Sequence, residues 1–386
     1  MYSFGRVRSR GLLPTQKKSK ISVKPPANAS RRSMRLKNIS LLSNKSSMGS
    51  GRIMDFFNFK KSIIRPDPIC EFCHPYRPTH VADRVGFLVE WMLRPVAHAV
   101  PHVFEETLWC GFIRLLIFLH LARWQSVSSN VYEGKRRELW RAAEARSVPF
   151  ERLFFFGLPT TTHRVFLRGR WIVTDELLHT TSSVSPFHPA INDKAAMGCL
   201  LREEGIPVPD GGACWTAFRA RNRARSLSPC VIKARDGSLS KHVMIKPDDL
   251  HEAVRVVKQV CPSVIVERFI EGDVFRATTV HGQLVGVVRR DPVEQGRKVV
   301  MADGARMVDV TDELHSKNRE LFERTALLVG GAILGIDFIT TDPSRAWNEV
   351  ELKVIELNSF PNFEMHLYPD EGTPRDIAGA YWDGLL

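Results

Sequence analysis

The first 54 residues contain no aspartate or glutamate, although they carry 13 lysines and arginines. Residues 55–386 therefore hold 42 basic and 42 acidic side chains, so the net charge of +13 belongs to the N-terminal segment and the remainder is neutral. A neutral body offers no electrostatic footprint for nucleic acid, and none is expected as a partner of the folded part. The acid-free segment is rich in Ser, Lys and Arg and cannot bury enough apolar surface to offset its ordering entropy, so residues 1–58 read as a disordered basic tail. Three readings of it stand side by side: contact with an anionic surface, an organelle transit peptide, and a natural start further on, at Met48 or Met54. No secretory signal peptide is visible, and the expected location is cytoplasmic, or organellar if the tail is a transit peptide.

Paired cysteines are also lacking. The seven present (70, 73, 110, 199, 214, 230 and 261) are an odd number scattered through apolar stretches, a pattern that fits buried thiols in a reducing compartment better than a disulfide framework. Cys70 and Cys73, with His74 beside them, have metal-like spacing, but a structural zinc needs four ligands and no second pair follows, so packing or a loop is preferred. No long uninterrupted apolar run exists. Leu108 to Trp124 is broken by Arg114 and His120 and is shorter than the roughly 20 apolar residues of a spanning helix. It reads as a buried or interfacial helix, with peripheral membrane contact open. No internal repeat is apparent.

What is present has a regular order. Residues 60–130 read as helices punctuated by proline. A charged amphipathic helix from Lys135 to Arg146 then leads into a strand, as in an α/β unit, and HRVFLRGRWIV alternates about Gly169 as a hairpin would. From Asp193 the pattern predicts a helix (Lys194 to Glu204), the strand PCVIKA, a loop, a helix (Asp248 to Val260) and the strand SVIVERFI. Paired strands through DVFRATTVHGQLVGVVRR follow, then a helix from about Asp312 to Leu334 and two strands, GIDFIT and KVIELNS. Strands arriving as hairpins with helices between them predict an α+β fold with antiparallel sheets.

Within VIELNSFPN, Glu356 and Asn358 sit two apart in an apolar strand and so share one face. Asp337 interrupts a second short strand in LGIDFITT. If the two strands are neighbours, two carboxylates and an amide converge, an oxygen set that suits Mg²⁺. Lys233 ends an apolar strand and Lys194 opens a helix, both useful for phosphate. Each group taken singly also reads as a solvated strand face or a surface charge.

In this order, DKAAMGCLLREEGIPVPDG, PCVIKARDGSLSKHVMI, VIVERFIEGDVFRATTV, LGIDFITTD and VIELNSFPNFEMHLYPDEGTPRDIAGAYWDGLL resemble the ATP-grasp superfamily. The run Pro361 to Arg375 is most similar to the ATP-grasp domain of cyanophycin synthetases and glutathione-synthesising ligases. The resemblance implies two α+β subdomains sandwiching ATP over residues 186–386, preceded by a smaller helical and α/β domain at 59–185 that would shape the acceptor pocket. It implies that Lys194 and Lys233 contact the ATP phosphates, with Ser240 in the loop over them. It places Glu267 on the adenine amino group, Arg268, Phe269 and Ile270 along the purine edge, and Asp273 near the ribose. Asp337, Glu356 and Asn358 would hold Mg²⁺, and Arg276 with either Arg289 or Arg290 would steady the transferred phosphoryl group or the substrate carboxylate. The implied activity is ligation of a small-molecule carboxylate to an amine through an acyl phosphate, releasing ADP. The alternative is a degenerate module that binds nucleotide without turnover.

The chain departs from the family pattern at Ser240 and His242, where glycines are usual, at Val274 in place of an acid, and at Asn362 in place of a glycine. A positive φ at such a loop position would cost a non-glycine residue roughly 1 kcal/mol. The Mur-ligase-like half of cyanophycin synthetases is not seen before Leu386, so polymerisation of cyanophycin is not expected.

Overall fold

Local sequence chemistry sets the element boundaries in this computed structural model, which describes residues 84–85, 87–89, 92, 102–175, 193–236, 242–292 and 305–386. The described residues all fall in one unit, residues 62–386. The basic tail, the Cys70–Cys73 pair, Ser240 and the proposed domain boundary at 185–186 lie outside them.

Helices are numbered here from His102. Helix α1 (His102–Phe118) is followed by strand β1 (Ala122–Ser126), so the apolar run starting at Leu108 is not one helix to Trp124. Its last residues instead pair with β2, Ala122 opposite Phe155. Helix α2 (Gly134–Ala145) leads into β2 (Phe150–Phe155), β3 (Leu158–Leu167) and β4 (Arg170–Asp175). The turn between β3 and β4 has Arg168 and Gly169 at φ 51° and 77°, the left-handed pair that a two-residue hairpin needs. These strands form one antiparallel sheet in the order β1-β2-β3-β4. The expected α/β character of this region is thus corrected: two-residue turns leave no room for the crossover that parallel pairing demands.

A second, small sheet has the order β5-β8-β6-β7, from β5 (Gly211–Cys214), β6 (Cys230–Ala234), β7 (Met244–Ile245) and β8 (Val264–Arg268). Helix α3 (Lys194–Glu203) precedes it, and α4 (Ala217–Ser226) and α5 (Leu250–Val260) pack on it. Helix α5 illustrates the local logic. Asp249 caps it by accepting from the amides of His251 and Glu252, worth about 1 kcal/mol, and Ala253, Val254, Val256 and Val257 form the buried stripe.

The third sheet has the order β11-β10-β9-β12-β13 and is antiparallel throughout. Its strands are β9 (Asp273–Val280), β10 (Gln283–Asp291), β11 (Arg306–Asp309), β12 (Ile333–Thr340) and β13 (Leu352–Asn358). Helix α6 (Ser316–Val329) covers it through Leu321, Phe322 and Ala326. That helix stops five residues short of the expected Leu334, because Gly330 takes φ 67° at its C-terminus and the chain re-enters the sheet as β12. Two short helices, α7 (Glu364–Leu367) and α8 (Ile377–Asp383), complete the fold. Helix α8 closes a core shared with α2 and the first sheet: Trp382 lies 5.8 Å from Trp140, centroid to centroid, and its Nε1 donates to the Leu139 carbonyl at 2.8 Å. Among the described residues no helix is long and apolar enough to cross a membrane.

Candidate functional site

Three neighbouring strands of the third sheet place their charges in a row. In the register, Arg276 on β9 lies opposite Asp337 on β12, and Asp337 lies opposite Glu356 on β13. Directly opposed residues project from the same face, so one guanidinium and two carboxylates are brought together. A bulge follows at once, with Phe338 pairing Val354 and Ile355 skipped. Arg276 grips Asp337 through two nitrogens, the Nη2 donating to Oδ2 at 2.6 Å, and Arg290 from β10 donates to Oδ1 at 2.8 Å. Gly335 makes the grip possible, since a Cβ there would lie 2.8 Å from Arg276 Nη1 and 2.7 Å from Pro361 Cβ.

Asp337 is 4% exposed. Burial by itself would raise its pKa, but the Arg276 and Arg290 guanidiniums outweigh that and hold the carboxyl below its usual range. Burial likewise disfavours charged Lys194, and Glu356, 3.2 Å from its Nζ, more than restores it, so the lysine is held above its ordinary value.

The two lysines arrive from other elements. Lys194 opens α3 directly after Asp193, which is fully buried, caps the helix through the amides of Ala195 and Ala196, and takes a bidentate pair from Arg235 at 2.9 and 2.7 Å. Lys233 on β6 pairs with Glu267 on β8 at 2.7 Å and donates to the Ile355 carbonyl of β13 at 3.4 Å, linking the small sheet to the large one. Lys194, Lys233, Arg276 and Arg290 thus face Glu267, Asp337 and Glu356, with Asp236 also acting on Lys194. Asn358, opposite Gly335, buries an amide Nδ2 that has no hydrogen-bond partner. Which amide atom is oxygen is assigned from its neighbours, so the orphaned position suits a carbonyl turned toward a cation equally well.

Other expected residues stand apart. Arg289 faces away from Arg290, as alternation requires, and pairs with Asp291 at 2.7 Å. Asp273 is exposed at the start of β9, opposite Thr340. The Arg268 and Phe269 amides donate to the carbonyls of Asp210 and Pro229, Lys246 lies 3.8 Å over the Phe269 ring, and Ile270 is buried. His242 does adopt φ 48°, the conformation that glycine favours, but its ring is buried and Nδ1 meets the Val256 carbonyl at 2.9 Å, so it is not turned toward a phosphate.

Two features were not read as functional from the sequence. One is the Asp193–Arg235 pair, whose members are 42 residues apart. The other is His366, fully buried, with Nε2 2.8 Å from Thr278 Oγ1 and Nδ1 without a hydrogen-bond partner. Its only sequence signal was its place in the Pro361 to Arg375 run. Burial, then the nearby Arg276 and Arg290, push its pKa down to about 3. The unfolded chain takes up this proton near pH 6.5 whereas the folded protein refuses it. Stability is therefore expected to fall between pH 6.5 and pH 4, with a slope approaching 1.4 kcal/mol per pH unit. Urea midpoints across that range should show the slope in the wild type and a flatter one in His366→Asn. Parallel slopes would assign the proton elsewhere.

Residues 191–361 match the family model of the ATP-grasp domain, in keeping with the α+β fold seen here. Cyanophycin synthetase from Nostoc sp. is 27% identical over 260 residues, covering 50% of this chain and 29% of that protein. A glutathione biosynthesis bifunctional protein from Clostridium perfringens is 20% identical over 255 residues, covering 48% and 33%. A bifunctional glutathione synthetase structure from Pasteurella multocida aligns with a TM-score of 0.49 at 14% identity, covering 64% of this chain and 44% of that one. The chain spans less than a third of the length of the cyanophycin synthetases that it matches.

Proposed function

We propose that the chain is an ATP- and Mg²⁺-dependent ligase that joins a small-molecule carboxylate to an amine. The observation that carries this reading is the meeting of Lys194, Lys233, Arg276 and Arg290 with Asp337 and Glu356, from both sheets and the intervening helix, at one place in the stretch that matches the ATP-grasp family model. In the reaction the γ-phosphoryl group passes to the carboxylate as its bond to ADP breaks. The amine then displaces phosphate from the acyl carbon and loses a proton. Lys194 and Lys233 would hold the phosphates, and Arg276 and Arg290 would neutralise charge on the transferring group. Glu267 would turn from Lys233 to the adenine edge.

Asp337, Glu356 and Asn358 would hold Mg²⁺. The donor set fits in type, two carboxylates and an amide, and the orphaned Asn358 atom fits in position. Bound there, the ion would supply charge neutralisation between the phosphates. Asp337 is already taken by Arg276 and Arg290 and Glu356 by Lys194, so the ion must displace these cations unless nucleotide phosphates draw them off, which argues that it binds together with nucleotide rather than before it. Calorimetry is expected to show Mg²⁺ alone binding at least about a hundredfold more weakly than Mg²⁺ in the presence of a non-hydrolysable ATP analogue. Equal affinities would contradict that order.

His242, committed to Val256, favours a second reading in which the loop supports nucleotide binding without turnover. Metabolite extracts incubated with protein, ATP and Mg²⁺ distinguish the two by mass spectrometry: new amides with ADP support the ligase, and tight ATP binding with no product supports the sensor.

A further inference from the structure

Far in sequence from the charged cluster, a set of apolar side chains is left uncovered. Strands β2 and β3 are joined by Phe156 and Gly157, both at positive φ, and the tip exposes Phe155 (37%), Phe156 (67%) and Leu158 (70%). The Phe156 amide donates to the Leu121 carbonyl at 2.9 Å, which ties the tip to the end of α1. There Phe118 is 78% exposed and Leu119 49%, and Leu115 and Phe112 extend the same stripe one and two turns back. The opposite side of α1, with Ile113, Leu116 and Ile117, packs on Ala122 and Leu153 of the sheet. The helix is thus apolar on both sides, one covered by its own fold and one not.

Next to the patch the charges are arginines: Arg123 lies opposite Phe154 in the register, and Arg114 stands one turn before Phe118 on α1. Farther along the strands the signs are mixed, with Arg164 paired to Glu151 and Asp175 opposite Thr162. The exposed apolar residues sit on a hairpin tip tied to a helix end, an arrangement that suits insertion of a few side chains into a soft interface. Since no described helix can span a bilayer, such a contact is peripheral.

We propose that the hairpin tip and the end of α1 form a docking site for an anionic lipid bilayer. The phenylalanines and leucines enter the headgroup boundary, and the arginines meet the acidic headgroups. The acid-free residues 1–54 add charge of the same sign. This does not rest on the ligase reading.

Flotation of the full chain with vesicles tests it. At about 0.1 M salt the protein should rise with phosphatidylcholine vesicles containing about 30% phosphatidylserine, should not rise with phosphatidylcholine alone, and should be released at about 0.5 M salt. Replacing Phe155, Phe156 and Leu158 together by serine should weaken partition at least about tenfold, and Phe118→Ser should weaken it separately. All four side chains are exposed, so both variants should melt with the wild type. Wild-type partition by both variants would assign binding to the basic tail and overturn the site, as would failure of the wild type to float. Wild-type dimerisation in light scattering that the variants abolish would also overturn it, giving the face to a second copy of the chain.

Discussion

Glu356→Gln should lower ATP-dependent amide formation, and the ADP released with it, by about 10²- to 10³-fold. The carboxylate stands opposite Asp337 and 3.2 Å from Lys194, so its neutralisation removes half of the anionic charge in the proposed Mg²⁺ set and the direct partner of the lysine proposed to hold phosphate. The fold should survive, because the amide has nearly the same shape and Lys194 also feels Asp236 and Glu267. The melting temperature is accordingly expected to move by only a few degrees, and amides detected in extracts with the wild type should vanish. Undiminished ligation by a folded variant would remove Glu356 from the chemistry and, with it, the proposed metal set.

Asp337→Ala should instead act on stability. Arg276 and Arg290 are both largely buried and share this one carboxylate, so its removal leaves two guanidiniums in the sheet with only Glu356 close enough to oppose them. Breaking a buried pair in this way costs about 3–5 kcal/mol, a large part of the 5–15 kcal/mol that holds a typical domain together. Urea unfolding at pH 7 measures it, and a loss below about 1 kcal/mol would mean that the arginines find water. The difference should also depend on pH. The folded protein keeps Asp337 ionised to lower pH than the unfolded chain does, so the wild-type advantage is complete at neutral pH and is lost as the pH falls below about 4.

Much of this site was legible as pattern. Alternation alone put Glu356 and Asn358 on one face, and the apolar flanks of Asp337 marked a second strand. Partnership was not legible, because register is decided by packing across the sheet: nothing local says that Asp337 meets Arg276 sixty-one residues away. The choice between Arg289 and Arg290 shows the same limit, since adjacent strand residues always face opposite ways and only the fold says which way is inward. Asp193 was read merely as the residue before Lys194, yet its buried pairing with Arg235 fixes the start of α3. Boundaries failed where a glycine or a pairing edge overrode a continuous apolar run, at Gly330 after α6 and at Phe118 after α1. Residues 293–304, which follow β10, and the loop with Ser240 lie outside the described residues.

The aromatic seam between Trp140 and Trp382 bears on how the polypeptide matures. During synthesis the first sheet and α2 emerge some 240 residues before the side chain that completes their interior. Until α8 is made, Trp140, Phe150 and Val165 lack their cover, so the early portion cannot finish as an autonomous piece and waits for closure by a distant segment. A nascent chain stalled before residue 377 is therefore a natural client for holding chaperones.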